Sequence, residues 1–286
     1  TASSNSAFGH YALAVNTTGT RNVAVGANAL DANTTASDNT AVGANALTAN
    51  TTGTRNDAFG SYALAATTTG NDNAGFGYGA LNLNTTGDQN TAVGRSALTA
   101  NTTADSNTAM GYLALTANTT ASYNTAMGDN SMVENTTGAG NAAFGAYSLR
   151  ANTTGHSNTA LGAYSPSTGG SNVVAAMRNN TTGSYNIAVG TGALATQEST
   201  SYNIGIGFKA GYSTTSSQNV FIGYRAGRDS NASDVTYIGF DSGLHATGSS
   251  NTCVGHRTMD ASSCTGGANT TIGREGLGSL TGGDSN

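Results

Sequence analysis

From Asn5 to Leu161 the chain repeats one pattern of apolar and polar positions every 17 residues. A bulky apolar residue stands third after an anchor asparagine, as Phe8, Val25, Val42, Phe59, Phe76, Val93, Met110, Met127, Phe144 and Leu161. A small residue precedes it and glycine follows it every time. Leucine comes four residues past the glycine (Met132 once), and then a second asparagine, Thr67 in one unit, usually followed by Thr-Thr. The anchors run Asn5, Asn22, Asn39 and onward to Asn158 without an insertion. Alternation from anchor to glycine has the two-residue period of a strand, and Asn-Thr-Thr-Gly predicts a turn. A fixed short period predicts stacked units. The expected fold is all-β, a parallel β-solenoid with one coil per unit, coils about 4.8 Å apart, and like residues stacked into ladders.

Strand alternation puts the small row and the bulky row on opposite faces. The expectation drawn here is that Val/Phe and Leu fill each coil, and that the small row looks outward. An unbroken outward row of alanine suits close approach of identical chains, so Ala24, Ala41, Ala58, Ala92, Ala109, Ala126, Ala143 and Ala160 are candidate oligomer-interface residues.

After Asn158 the anchors fall at Asn172, Asn186, Asn203, Asn219, Val235, Asn251 and Asn269, with steps of 14 to 18 residues. Counting them all predicts 17 coils. Residues 1–164 read as a regular solenoid, 165–185, which hold the only proline (Pro166), as an irregular junction, and 186–286 as a second solenoid segment. In the latter, Lys209, Arg225, Asp241 and Arg257 form a charged row two residues past the glycine.

Composition narrows the possible roles. Charged residues make up only 9% of the 286, there are 40 glycines, and the net charge is −5. That balance offers no basic surface for nucleic acid and no polybasic membrane patch. No run approaches 18 apolar residues, so no inserted helix is expected. The chain starts in mid-repeat at Thr1 and reads as part of a longer protein.

The strand motif Asn-x-Ala-φ-Gly, as in Asn186–Gly190, resembles the repeats of trimeric autotransporter adhesin heads. The full unit, Asn-Thr-Ala-Val-Gly-x-x-Ala-Leu-x-x-Asn-Thr-Thr-Gly, looks more like the repetitive shafts of bacteriophage tail fibres. The likeness covers nearly the whole chain, although the unit has 17 residues where about 14 is usual in adhesin heads. It implies a left-handed β-roll assembled as a homotrimeric fibre. It also implies a shaft segment that attaches to a host or cell surface, located on a virion tail fibre or extracellularly. A bacterial cell-surface trimeric adhesin head and an end-to-end extracellular filament, glycosylated or not, are the alternatives.

Candidate chemistry is sparse. No carboxylate pair or Ser/His/Asp arrangement recurs at one coil, so no enzyme, metal or cofactor is expected. Tyrosines just past the glycine, Tyr62, Tyr78, Tyr112, Tyr147 and Tyr164, are candidate glycan-binding residues, and Arg225 is a candidate receptor contact. Packing between coils is the plainer role for these rings. Asn-x-Ser/Thr sequons recur, among them Asn33, Asn50, Asn84 and Asn231, either as glycan acceptors or as turn and ladder asparagines. Cys253 and Cys264 read as packed thiols, with a disulfide as the alternative. Cys253 sits in the small row and is expected to face the bundle axis.

Overall fold

The computed structural model describes residues 2–164, 174–260 and 264–277. It is an all-β parallel β-solenoid of about 15 coils, with no helix among the described residues. Two compact units are present, Thr1–Gly140 and Asn141–Asn286. The first holds eight three-residue strands from Ser6–Phe8 to Thr125–Met127, the second eight from Ala142–Phe144 to Thr270–Ile272. Within each unit neighbouring strands pair in parallel and in register, so Ala24 lies over Ala41 and Ala41 over Ala58.

Two asparagine ladders hold the coils together. Asn39 and Asn50 both donate from Nδ2 to the carbonyl of Gly53, at 2.9 and 3.0 Å. The Oδ1 of Asn39 accepts the backbone N–H of Asn56 at 2.9 Å, and Asn50 Nδ2 also donates to Asn33 Oδ1 at 3.0 Å. One side chain therefore closes its own coil and grips the next. All of these asparagines except Asn16 and the first anchor, Asn5, are buried, where an amide without partners would be costly.

The faces of the strand are the reverse of the sequence expectation. The small row points inward: Ala24, Ala41, Ala58, Ala92, Ala109, Ala126, Ala143 and Ala160 are fully buried inside their own chain and cannot form an oligomer interface. The bulky row points outward, with Phe59, Phe76 and Met110 each 39% exposed. Room inside the coil is the reason. At Gly75 an added Cβ would lie 3.3 Å from Leu64 Cγ, and at Gly205 it would lie 2.7 Å from Leu194 Cγ. The leucine of the preceding coil and the amide ladders already fill the section, which leaves space for a methyl only.

The second unit supports this account by an exchange of sizes. Phe221 and Tyr237 replace the inward alanine and are fully buried. In the same coils the leucine position becomes Gly227 and Gly243, where a Cβ would meet the Phe221 and Tyr237 rings at 2.1 Å. Small-plus-large has become large-plus-small at nearly constant volume.

The coil turns tightly at the leucine, which adopts a left-handed backbone (Leu47 φ 49°, Leu64 φ 52°). That conformation is costly for a residue with a Cβ, on the order of 1–2 kcal/mol. Full burial of the leucine, about 1.5–3 kcal/mol, offsets it. Past the strand, the repeat glycine holds φ near 135°, as at Gly26 (134°), and a Cβ there would sit 2.5 Å from the Gly43 carbonyl oxygen. No side chain fits between backbones stacked so closely.

The expected count of 17 coils is corrected at the junction. Strand Thr159–Leu161 pairs directly with Ile187–Val189, and Asn186 N donates to Asn158 Oδ1 at 3.0 Å. One coil of 28 residues thus spans the interval in which Asn172 was counted as an anchor. Pro166 and Asn172 themselves lie outside the described residues.

Where Thr67 takes the place of the second asparagine, Asn50 Oδ1 and Thr67 Oγ1 are both buried without a partner. Thr67→Asn restores a donor to Asn50 Oδ1 and an acceptor for Asn84, and should stabilise the chain by about 1–3 kcal/mol, read as a higher urea midpoint. Gly227→Ala should destabilise by at least about 1–3 kcal/mol through its clash with Phe221. The double change Phe221→Ala with Gly227→Leu should recover most of that loss in the same titration.

Candidate functional site

Three-residue strands leave two outward rows per unit, and one of them is bulky and apolar throughout. In the first unit Phe59 and Phe76 stack with centroids 5.0 Å apart and planes 5° from parallel. In the second unit the corresponding row is Phe144, Leu161, Val189, Ile206, Ile222, Ile238, Val254 and Ile272. Stacking at the coil spacing joins them into a continuous apolar surface along each unit, a kind of surface that marks contact sites.

The tyrosines singled out in the sequence do not form one stripe. Tyr78 and Tyr112 directly follow the glycine, whereas Tyr62, Tyr147 and Tyr164 come one residue later. Tyr62 and Tyr78 are exposed and meet edge to face at 6.0 Å, and Tyr112 is exposed with Arg95 over its ring at 5.9 Å. In the second unit Phe208, Tyr224, Phe240 and His256 form a parallel stack at 5.3, 4.9 and 5.2 Å. Ring faces in that stack are covered by neighbouring rings, so it shields the turns beneath it.

Tyr147 and Tyr164 differ from the exposed tyrosines. They are half-buried, meet edge to face at 5.5 Å, and line a cavity of about 260 Å³ with Val174 and Arg178. A second hollow of about 340 Å³ lies over the polar residues Thr196–Thr200, Thr214 and Thr215. There Gln197 and Thr214 replace the second asparagine, and Asn180 Oδ1, Gln197 Nε2 and Thr214 Oγ1 are left without partners.

Arg225 is engaged within its own chain. It forms a two-pronged pair with the buried Asp241 at 2.8 and 2.6 Å and lies over the Tyr224 ring. The hydrogen bond to Asp241 raises its pKa further. Lys209 sits against the Phe208 and Tyr212 rings, and Arg257 pairs with Asp260 at 2.8 Å. A second charge ladder escaped the sequence reading. Just before the anchors, Arg21 bonds Asp38 at 2.5 Å and Arg55 bonds Asp72 at 2.6 Å. The arginine hydrogen bonds hold both carboxyls below the usual carboxylate range. The alternation of sign at 17-residue spacing was the available signal. Tyr185 and Tyr202, stacked at 5.1 Å in the same row, were also missed.

The sequon asparagines are mostly unavailable to a modifying enzyme. Asn33, Asn50, Asn84, Asn101, Asn118, Asn135, Asn152, Asn180 and Asn269 are buried in the folded chain, whereas Asn231 is exposed. Dense glycosylation of the folded solenoid is therefore excluded by the ladder itself. Among the described residues no group of three or more His, Cys, Asp or Glu is placed to hold a metal ion. No protein-family model and no curated protein matches the sequence.

Cys253 and Cys264 are both free and buried. Cys253 occupies the inward row of its own chain, which corrects its expected place at a bundle axis. Burial, with a smaller contribution from Cys264, pushes the Cys253 thiol up to about 12. Cys253 should therefore resist alkylation by iodoacetamide at pH 8 in the folded chain and react promptly in urea. The raised value leaves stability unchanged below about pH 9, where the thiol is protonated in both states. Between about pH 9 and 12 the unfolded thiol ionises first, so the urea midpoint should fall across that window, and less so in Cys253→Ala.

Proposed function

We propose that this chain is a shaft segment of an adhesive fibre, in which identical chains lie side by side and present their turns to a host or cell surface. The bulky apolar row along the outer strand face is the observation that carries this reading. Each such residue gains about 1.5–3 kcal/mol on full burial and is already partly covered, so a single contact would not hold chains together. Eight half-exposed residues in one unit amount to on the order of 6–12 kcal/mol, comparable to the cost of association. A row that runs along the side of the stacked coils favours side-by-side contact over end contacts. The threefold number follows the resemblance to phage tail-fibre shafts, with the valine and phenylalanine row at the axis in place of the buried alanines. Coils stacked through turns and amide ladders, with few charges, are suited to a spacer that carries a receptor-binding surface.

Sedimentation equilibrium of the chain should give three times its 28.3 kDa mass. Val42→Asp with Val93→Asp, both on the outer row, should reduce this to a single chain while leaving the far-UV spectrum unchanged. A single-chain mass for the unaltered protein, or an unaltered trimer in the double variant, defeats the proposal.

A further inference from the structure

We propose that the cavity beside Tyr147 and Tyr164 binds a carboxylate-bearing sugar residue of a surface glycan. It lies against the coil that departs most from the repeat, the 28-residue step from Asn158 to Asn186. Four described residues line it: Tyr147, Tyr164, Val174 and Arg178. Backbone pairing fixes two of the walls, since Tyr164 N donates to Ala146 O at 3.0 Å and Ala151 N donates to Arg178 O at 3.0 Å.

Arg178 supplies the chemistry. Its Nε is buried and has no hydrogen-bond partner, and Arg178 takes part in none of the ion pairs seen among the described residues. Arg178 lines the cavity as an unneutralised cation, and a planar anion that enters there pairs with the guanidinium. A carboxylate has that shape. The two tyrosines supply the other half of the site. Their edge-to-face arrangement at 63° leaves a ring face without an aromatic neighbour, unlike the parallel Phe208–Tyr224–Phe240 stack. A pyranose ring lays its C–H face on such a ring, with the phenol hydroxyls and Arg178 as polar partners. A volume of about 260 Å³ accommodates one sugar residue, which points to a terminal or side-chain unit of a glycan.

This inference deepens the host-surface reading and rests on it. Isothermal titration of the full chain with methyl β-D-glucuronide, methyl β-D-glucoside and acetate tests it, and the readout does not depend on how many chains associate. The glucuronide should bind with a millimolar Kd and the other two at least tenfold more weakly. Arg178→Gln and Tyr164→Ala should each weaken the glucuronide at least tenfold, with thermal midpoints recorded to establish folding. If Arg178→Gln fails to fold, Tyr164→Ala and line broadening of tyrosine resonances by added glucuronide decide the matter. Equal binding of the glucoside, acetate binding as tightly as the sugar, no saturation by any probe, or glucuronide binding unaffected in a folded variant would each overturn the proposal. A trimer that does not bind, or a single chain that does, separates this proposal from the fibre assembly.

Discussion

The structure depends on one repeated contact, the meeting of two asparagine amides on a single backbone carbonyl in the coils that carry both ladders. Asn39 and Asn50 on Gly53, and Asn141 and Asn152 on Gly155, show the same arrangement in both units. Each amide also binds the neighbouring coil, so the coil spacing, the turn and the parallel register are fixed by the same atoms. A section this thin buries little apolar area, and buried, fully partnered amides take over part of the stabilising role of a hydrophobic core. Satisfaction must be nearly complete for that to work, which is why the exceptions at Thr67 and Gln197 are conspicuous.

The narrow section also decides which residues are inside. Leucine and the ladders leave room for a methyl on the strand, so alanine goes in and valine, phenylalanine or methionine goes out. Where an aromatic ring enters, at Phe221 or Tyr237, the leucine position gives way to glycine. The outer face then carries the bulky apolar residues because the inner face has no room for them. The proposed lateral association of chains would use the apolar row that the thin interior pushes outward.

Much of this was legible in the residues. The 17-residue period, the short strands, the parallel stacking and both asparagine ladders follow from positions such as Asn39, Ala41, Gly43, Leu47 and Asn50. The side of the strand that faces inward was not legible, because alternation separates two faces without assigning them. Hydrophobicity favoured Val42 for the interior, and the volume left by Leu47 and Asn50 favoured Ala41. The tyrosines were visible as a cluster, but their separation into exposed and half-buried residues does not follow their offset from the glycine, since Tyr62 shares the offset of Tyr147 and Tyr164 and is exposed. Arg178 carried no motif at all. Its place at the cavity follows from a coil of 28 residues, read in the sequence as two shorter ones.

By itself, then, the sequence determined the solenoid, its period and its ladders, because periodic identity in a parallel stack admits few other solutions. Only the tertiary structure decided which row is buried, which sequon asparagines are out of reach, and which tyrosines share a cavity with a cation. Those outcomes rest on the free volume inside one coil and on contacts between residues 14 to 28 positions apart, as in Asn39 with Gly53 and Asn158 with Asn186. Local pattern records neither quantity.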